Sequence, residues 1–189
     1  GVAWIANIGN RYLPFATEAG HIDFAPTNKS QVELFNFLAS KFGHVSVERL
    51  LSGPGLTNIF SFLQRRSNQG ETASLLELSE DEGPLIIELA LAQNHPTAIE
   101  SLKLFAEIYG AFAGNLALAG LCRGGVYIAG GIAPKILSYL KMDYFIQSFR
   151  SKGRFTGLMC EIPIYVVMNT QVGLLGAKSE AHRLLQRSP

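Results

Sequence analysis

A carboxylate and an imidazole stand three residues apart in the segment Thr17–Phe24, directly after an apolar run. The carboxylate of Glu18 can accept hydrogen bonds from hydroxyl groups, and a neutral His21 can donate or accept one. Gly20 lies between them and removes a side chain where a ligand or another stretch of backbone approaches. This chemistry suits a ligand with many hydroxyl groups, such as a sugar. The same spacing is also compatible with two metal ligands or with a surface ion pair.

A second informative stretch is the double glycine Gly130-Gly131. It follows the apolar run Val126–Ala129, which predicts a buried central strand, and precedes Pro134, which suits the first turn of a helix. Open α/β sheets bind ligands at the carboxyl ends of such strands, and a double glycine there leaves room for a flat ring or a phosphate. The pattern is neither Gly-x-Gly-x-x-Gly nor a Walker loop. A plain strand-to-helix turn is the alternative.

The composition limits the classes of protein to which the chain can belong. Its 189 residues suffice for one domain with a core or for one lobe of a larger protein. Hydrophobic residues make up 48% and charged residues 16%, which favours a chain that buries surface against a partner domain or subunit. A net charge of +1 without a basic run argues against nucleic-acid and membrane partners. The longest apolar stretch, Phe112–Leu121, is too short to span a bilayer.

The cysteines and the first residues bear on location and completeness. Cys122 and Cys160 are far apart in apolar settings, which favours two buried thiols in a reducing cytosol over a disulfide. Without a Cys-x-x-Cys or Cys-x-Cys pair, the sequence offers no structural zinc site, and we assign no metal ligands. The chain opens at Gly1 directly into strand-like sequence. We therefore expect a cytoplasmic protein, of which this chain is a fragment that begins inside a fold.

The first elements are predicted to position the Glu18 segment. Val2–Ala6 and Tyr12–Phe15 are typical of the strands of a hairpin with Gly9-Asn10 at its tip. The second strand leads to Glu18, and a strand end is a rigid place for a functional side chain.

Two further helices are predicted next. Ser30 and Glu33 have the spacing of a capping box for a core-facing helix that stops at Gly43. His44, just beyond it, is interpreted as a cap or surface histidine. Ser46 is the predicted N-cap of the next helix. That helix would place Glu48 in its first turn, where the dipole favours a carboxylate.

The remainder predicts helices that alternate with strands, as in an α/β domain. The long central helix carries small residues that favour close packing against a sheet, and Asn115 on it is assigned a packing role. The small residues are Ala111, Ala113, Gly114 and Ala117. The loop Ser151–Phe155 is basic and predicted to be flexible. Predicted helices cover Leu56–Gln64, 73–78, Pro84–Gln93, the stretch from Pro96 or Thr97 to Ala117, Lys135–Tyr139, Tyr144–Phe149 and the region from Val172, and a buried strand is predicted over Pro163–Met168.

These motifs together resemble the C-terminal lobe of bacterial glucokinase, in the group with the actin/hexokinase-type ATPase fold. The resemblance runs from Gly1 nearly to the end of the chain and rests on seven blocks in the family's order. The blocks are Glu18–Pro26, Gly43–Arg49, Leu51–Leu56, Gly114–Leu118, Gly124–Pro134, Lys152–Phe155 and Gly173–Gly176.

The resemblance implies a fold and an activity. Residues 1–189 would form one ribonuclease H-like, actin-like α/β lobe with a central sheet, an early β-hairpin and several packed helices, and the N-terminal lobe would be absent from this chain. The complete protein would be a glucokinase that makes glucose 6-phosphate and ADP from glucose and ATP, with Mg²⁺ bound through the nucleotide. It would be a cytoplasmic homodimer.

The resemblance also implies roles for individual residues. Glu18 and His21 match the pair that hydrogen-bonds the sugar hydroxyls, and Glu48 matches a further sugar-binding carboxylate. Gly130-Gly131 matches the adenosine-binding turn. Gly1 matches the final glycine of a Gly-Thr-Gly-x-Gly phosphate loop.

The chain departs from the family pattern where catalysis is concerned. The family's preceding lobe carries an Asp-x-Gly-Gly-Thr loop and an Asn-Asp pair whose Asp is the general base, and neither motif occurs in these residues. Because phosphoryl transfer depends on positioning and on neutralising charge, we expect the chain alone to be at best a poor kinase. A kinase for another hexose and a non-catalytic sugar sensor with the same fold are the alternatives.

Overall fold

The hairpin at the start of the chain forms as the sequence predicts. In the computed structural model, which describes residues 1–9, 11–67, 79 and 81–185, strand β1 (Val2–Ile8) pairs antiparallel with β2 (Arg11–Thr17). Ile8 faces Arg11 across the ladder, so two residues connect the strands, as in the tight hairpin loops that need a positive φ. Gly9 has a φ of 57°, and Asn10, the other predicted tip residue, lies outside the described residues.

Helices account for most of the remaining described chain. They are α1 (Lys29–Phe42), α2 (Gly53–Ser67), α3 (Gly83–Leu91), α4 (Pro96–Gly120), α5 (Ile132–Lys135), α6 (Leu137–Leu140), α7 (Asp143–Arg150), α8 (Thr156–Glu161) and α9 (Val172–Leu185). The predicted short helix over 73–78 lies outside the described residues. No helix in the part of the chain that the structure describes is long and apolar enough to cross a membrane.

Helix α1 begins with a different cap from the predicted one. The side chain of Asn28 accepts a hydrogen bond from the Gln31 amide at 3.0 Å, so the Ser30–Glu33 capping box is wrong. Both of those side chains instead face α2, where Arg66 donates to the Ser30 hydroxyl at 2.8 Å and lies 3.9 Å from the Glu33 carboxylate. The predicted stop is confirmed, since Gly43 caps the C-terminus with a φ of 71°.

The helix predicted from Ser46 is also wrong. The chain makes only a single 3₁₀ turn, Val47–Arg49, and a new helix, α2, starts at Gly53. The predicted helix runs from Ser46 to Leu51 and ends at the corner Ser52–Gly55, a stretch so short that it gains few helical hydrogen bonds. The Ser52 hydroxyl instead accepts from the Gly55 amide at 3.0 Å, so Pro54 falls in the first turn of α2.

Helix α4 is the central element, but it packs against a helix rather than against a sheet. A Cβ atom at Gly110 would collide with the Phe145 carbonyl on α7, and one at Gly114 would collide with the Phe149 carbonyl. The small residues therefore bring α4 and α7 close together. Asn115 is exposed on α4, so the packing role assigned to it is not supported.

The strands of the described residues form two separate pairs rather than one central sheet. The hairpin is one pair, and β3 (Val126–Ile128) lies parallel to β4 (Ile164–Val166) in the other. Only the inner face of β3 is covered. Ile128 is buried, whereas Tyr127 is 61% exposed and stacks on Tyr165 across the ladder, with ring centroids 4.8 Å apart. The predicted buried strand is therefore confirmed in position but buried on one side only.

Helices α1 to α4 together with α6 and α7 enclose the main core. The predicted apolar face of α2 is confirmed, because Leu56, Ile59, Phe60 and Leu63 are all buried in it. The largest fully buried side chains include Phe60, Phe105 and Phe145. This helical core is the body on which the candidate site is mounted.

Two local expectations need correction. Cys160 is exposed, so only Cys122 is even partly buried; burial raises the pKa of the Cys122 thiol.

The predicted flexible loop around Lys152 contains a 3₁₀ turn, Gly153–Phe155. The Lys152 ammonium donates to the Ala111 carbonyl of α4 at 3.1 Å, and burial lowers its pKa.

Candidate functional site

Two short segments are tied together at one edge of the helical core. One contains the 3₁₀ turn Ala19–His21, and the other contains the turn Val47–Arg49. An isolated antiparallel bridge pairs Asp23 with Ser46. Hydrogen bonds flank the bridge: the Phe24 amide donates to the Val45 carbonyl at 2.9 Å, and the Val47 amide donates to the Ile22 carbonyl at 3.0 Å. The bridge thus fixes the register of two segments that are distant in sequence.

The bridged segments are anchored by apolar side chains. Phe24, Val45, Val47 and Leu50 are each at most 6% exposed. From α2, the side-chain amide of Asn58 donates to the Arg49 carbonyl at 3.0 Å and so holds the end of the second turn. Functional side chains on these turns are therefore mounted on a packed base.

The bridge brings two of the predicted sugar-binding residues together. His21 Nε2 lies 3.1 Å from Glu48 Oε2, and their side chains are 65% and 55% exposed. Both are two residues from the bridging pair, on opposite segments. Glu48 stands in the first turn of its 3₁₀ segment, as predicted, and the structure adds that it is the contact partner of His21.

Glu18 lies immediately before the first turn. The end of β2 fixes its backbone, since the Thr17 hydroxyl donates to the Val2 carbonyl at 2.9 Å and accepts from the Ala19 amide at 3.2 Å. The His21 amide donates to the Glu18 carbonyl at 2.9 Å. The exposed Glu18 carboxylate makes no hydrogen bond or ion pair with the described part of the chain. It is therefore available to accept from an incoming hydroxyl group.

A polar cleft of about 620 Å³ opens beside the His21–Glu48 contact. This volume lies in the range of small-molecule pockets, about 300–1,000 Å³. His21 and Glu48 line the cleft, whereas Gly1, Glu18 and Gly130-Gly131 are not part of its lining. Its other polar lining residues are Lys41, His44, Ser46, Arg49, Ser52, Thr57, Asn58, Ser61 and Ser79.

A second histidine–carboxylate pair lies on the same two segments. His44 Nε2 is 2.8 Å from Asp23 Oδ1, and both side chains are exposed. The surface assignment of His44 is confirmed, but its partner was not predicted. The only sequence signal is that each residue stands close to a predicted site residue, because the bridge that joins the two segments cannot be seen in a local pattern.

The double glycine lies elsewhere, at the end of β3. Gly130 has a φ of +115°, and a Cβ atom at Gly130 or Gly131 would meet no atom within 4 Å. The backbone of this turn is therefore open, which fits a flat ring or a phosphate approaching it. Gly1 is exposed at the start of β1, also with open space around it.

In the described part of the chain, Glu18 and His21 do not belong to a cluster of side chains that could bind a metal ion. Among the described residues, no group of three or more histidine, cysteine, aspartate or glutamate side chains could hold a metal ion. The arrangement that the structure does show is a set of hydrogen-bonding groups at a polar cleft.

The model of the glucokinase family matches residues 1–184 of the chain. This chain belongs to the glucokinase family. Among curated relatives, the glucokinase of Nostoc punctiforme is 41% identical over an alignment of 199 positions. The alignment covers 97% of this chain and 58% of the relative. The glucokinase of Shigella sonnei is 38% identical over 186 residues, which cover 98% of this chain and 56% of the relative. The chain thus spans somewhat more than half the length of these glucokinases.

Solved glucokinase structures share the fold. The crystal structure of glucokinase from an Antarctic psychrotroph superimposes with a TM-score of 0.80 at 28% identity, covering 95% of this chain and 53% of that one. The glucokinase of Balamuthia mandrillaris, solved in complex with glucose, superimposes with a TM-score of 0.75 at 18% identity. This superposition covers 88% of this chain and 46% of that one. The predicted α/β class with the actin/hexokinase-like fold is thereby confirmed.

Proposed function

We propose that this chain is the sugar- and nucleotide-binding C-terminal lobe of an ATP-dependent glucokinase, whose complete form converts glucose and ATP to glucose 6-phosphate and ADP. The observation that carries the proposal is the His21–Glu48 contact at a polar cleft, in a chain of the glucokinase family. In the proposed protein these two side chains and Glu18 bind the sugar hydroxyls. The complete protein is a cytoplasmic homodimer.

Sugar recognition follows from the donors and acceptors at the cleft. The carboxylates of Glu18 and Glu48 accept from hydroxyl groups, and the His21 imidazole can donate or accept. A sugar hydroxyl that enters beside His21 exchanges hydrogen bonds with both members of the 3.1 Å contact. A site built this way rejects a ligand without the matching hydroxyl, because its own polar groups would be left without partners.

Nucleotide binding is proposed for Gly130-Gly131 and Gly1. The open backbone at the double glycine suits the adenosine, and Gly1 suits the approach of a phosphate. Mg²⁺ bound to the ATP phosphates would neutralise the charge that develops during phosphoryl transfer. None of these glycines lines the cleft, and we propose that a further part of the protein brings the phosphate to the sugar.

The exposed apolar surface supports the proposal of a missing lobe. Ile5 and Tyr12 on the hairpin are 64% and 75% exposed, and Leu174 and Leu185 on α9 are 71% and 73% exposed. Apolar surface of this kind is typical of an interface, and open strand edges favour pairing with another chain segment. We propose that the part of the protein corresponding to the unmatched length of the relatives covers these elements and supplies the general base.

The test is a coupled ADP-release assay on the protein expressed from its complete reading frame. Glucose-dependent ADP release is expected, and Glu48→Gln should raise the KM for glucose strongly. Glu161→Gln, which changes an exposed carboxylate on α8, is the matched control and should leave the KM unchanged. If no ADP is released in response to glucose, the proposed glucokinase activity is refuted. If another hexose is turned over in preference to glucose, that hexose is the substrate instead. Robust turnover by residues 1–189 alone would refute the proposal that a further lobe is required for activity.

A further inference from the structure

The two histidine–carboxylate pairs are arranged around one bridge. His21 and Asp23 come from the first segment, and His44 and Glu48 come from the second. Asp23 is itself a member of the backbone bridge with Ser46; His44 stands two residues before Ser46, and Glu48 stands two residues after it. The first contact is the proposed sugar-binding pair. The second, between Asp23 and His44, has no role in the proposed function.

The sugar-binding contact depends on the relative position of two short turns. A 3₁₀ turn of three residues has limited hydrogen bonding of its own. His21 is the last residue of one such turn and Glu48 the middle residue of the other, and both side chains are largely exposed. The register between the segments therefore decides whether the imidazole and the carboxylate face the same ligand.

The Asp23–His44 contact joins a bridge residue to the position two residues before its bridge partner Ser46. It joins the two segments through side chains at 2.8 Å, although 21 positions separate the residues in sequence. Because His44 is 62% and Asp23 89% exposed, solvent screening leaves such a pair little influence on global stability. Its geometric effect is local, on the register of the bridge.

We propose that Asp23 and His44 are positioning residues that reinforce the backbone bridge and so help to hold His21 and Glu48 in register for sugar binding. The inference rests on the proposed function for the identity of the ligand. The competing explanation is that His44, which also lines the cleft, contacts the sugar by itself. The two explanations differ in whether Asp23 and His44 act as a unit.

The test is a double-mutant cycle on the protein expressed from its complete reading frame. The variants are Asp23→Asn, His44→Gln, both together, and the exchanged pair Asp23→His with His44→Asp. Glu100→Gln is the control. It breaks an exposed ion pair on α4, in which Glu100 Oε2 lies 3.7 Å from Lys103 Nζ. The KM for glucose, the KM for ATP, kcat and the thermal midpoint are measured for each.

We expect each single change to raise the KM for glucose about three- to tenfold, with the double change no worse than the more severe single one. The KM for ATP, kcat and the midpoint should stay at wild-type values. The exchanged pair should recover most of the affinity, and Glu100→Gln should have no effect.

Other outcomes overturn the proposal in distinguishable ways. Additive losses in the double variant would show that the two side chains act separately. A lower midpoint with changes in kcat and in the KM for ATP would show a general structural role. Unchanged glucose KM values with an active wild type would refute the positioning role alone, whereas a wild type without glucose turnover would refute the proposed function and this inference together.

Discussion

The two proposed binding regions of this glucokinase-family chain are supported very differently. The turns that carry His21 and Glu48 rest on buried side chains and are held by hydrogen bonds to each other and to α2. The double glycine follows β3, one strand of a two-stranded sheet whose outer face is exposed. The pair packs on the helical core through Ile128 but has no third strand among the described residues. The sugar region should therefore be formed within this chain, whereas the nucleotide region should depend on the rest of the protein.

The largest expected effect contrasts the helical core with the hairpin. Phe60→Ala removes a fully buried ring and should lower the free energy of unfolding by about 3–5 kcal/mol. Tyr12→Ala, at a side chain that is 75% exposed on β2, should change it by less than about 0.5 kcal/mol. Denaturant unfolding of both variants measures the difference. Equal losses would show that the hairpin is as firmly packed as the core.

The next effect concerns the sugar region. Glu18→Gln should weaken glucose binding by about 1.5–3 kcal/mol, because it removes a charged acceptor of hydrogen bonds from the sugar. Glu88→Gln, at an exposed position on α3, is the control and should bind as the wild type does. Titration calorimetry with glucose gives both affinities. An unchanged affinity for Glu18→Gln would remove this residue from the site.

The nucleotide region offers a matched pair of glycines. Gly130→Ala forces an L-residue to a φ of +115° and should cost about 1–2 kcal/mol of stability. Gly131 has a φ of −76° and open space at its Cβ, so Gly131→Ala should cost little. Chemical denaturation separates the two variants. If both cost the same, the turn does not hold the conformation described for it.

The effect that is smallest at neutral pH sharpens the description of the core through its pH dependence at high pH. Burial raises the pKa of Tyr109 from 10.0 to about 12, and its ring lies edge-on to Phe105 and Phe145. Above pH 10 the unfolded chain loses this proton while the folded chain keeps it, so stability should fall as the pH rises from 10 to 12. Tyr109→Phe should reduce this fall, part of which remains because burial also raises the pKa of Tyr144 to about 12, whereas Tyr12→Phe at an exposed position should leave the fall unchanged. Identical profiles for both variants would contradict the burial of Tyr109.

Local patterns in the sequence predicted most of the elements. The hairpin, the stop at Gly43 and the apolar face of α2 are each encoded by a few neighbouring residues, and all three are confirmed. The helix expected from Ser46 is only a 3₁₀ turn, because the few residues before the corner at Ser52 are too short to form a stable α-helix. The packing of α4 on α7 could not be predicted, since small residues permit a close contact without specifying the partner.

The residues of the candidate site also differ in how far local sequence patterns could indicate them. Glu18 and His21 are close in sequence, so their spacing alone indicated chemistry. Glu48 entered through the family resemblance, because an antiparallel bridge between distant segments leaves no periodic signal. The Asp23–His44 contact was missed on the same ground.

The most direct test of the account is titration calorimetry of residues 1–189 with glucose and, separately, with MgATP. We expect that the chain binds glucose, that Glu48→Gln weakens this binding, and that MgATP binds weakly or not at all. A folded chain that binds MgATP but not glucose would contradict this expectation, because the sugar region would then need the proposed N-terminal lobe and the nucleotide region would not.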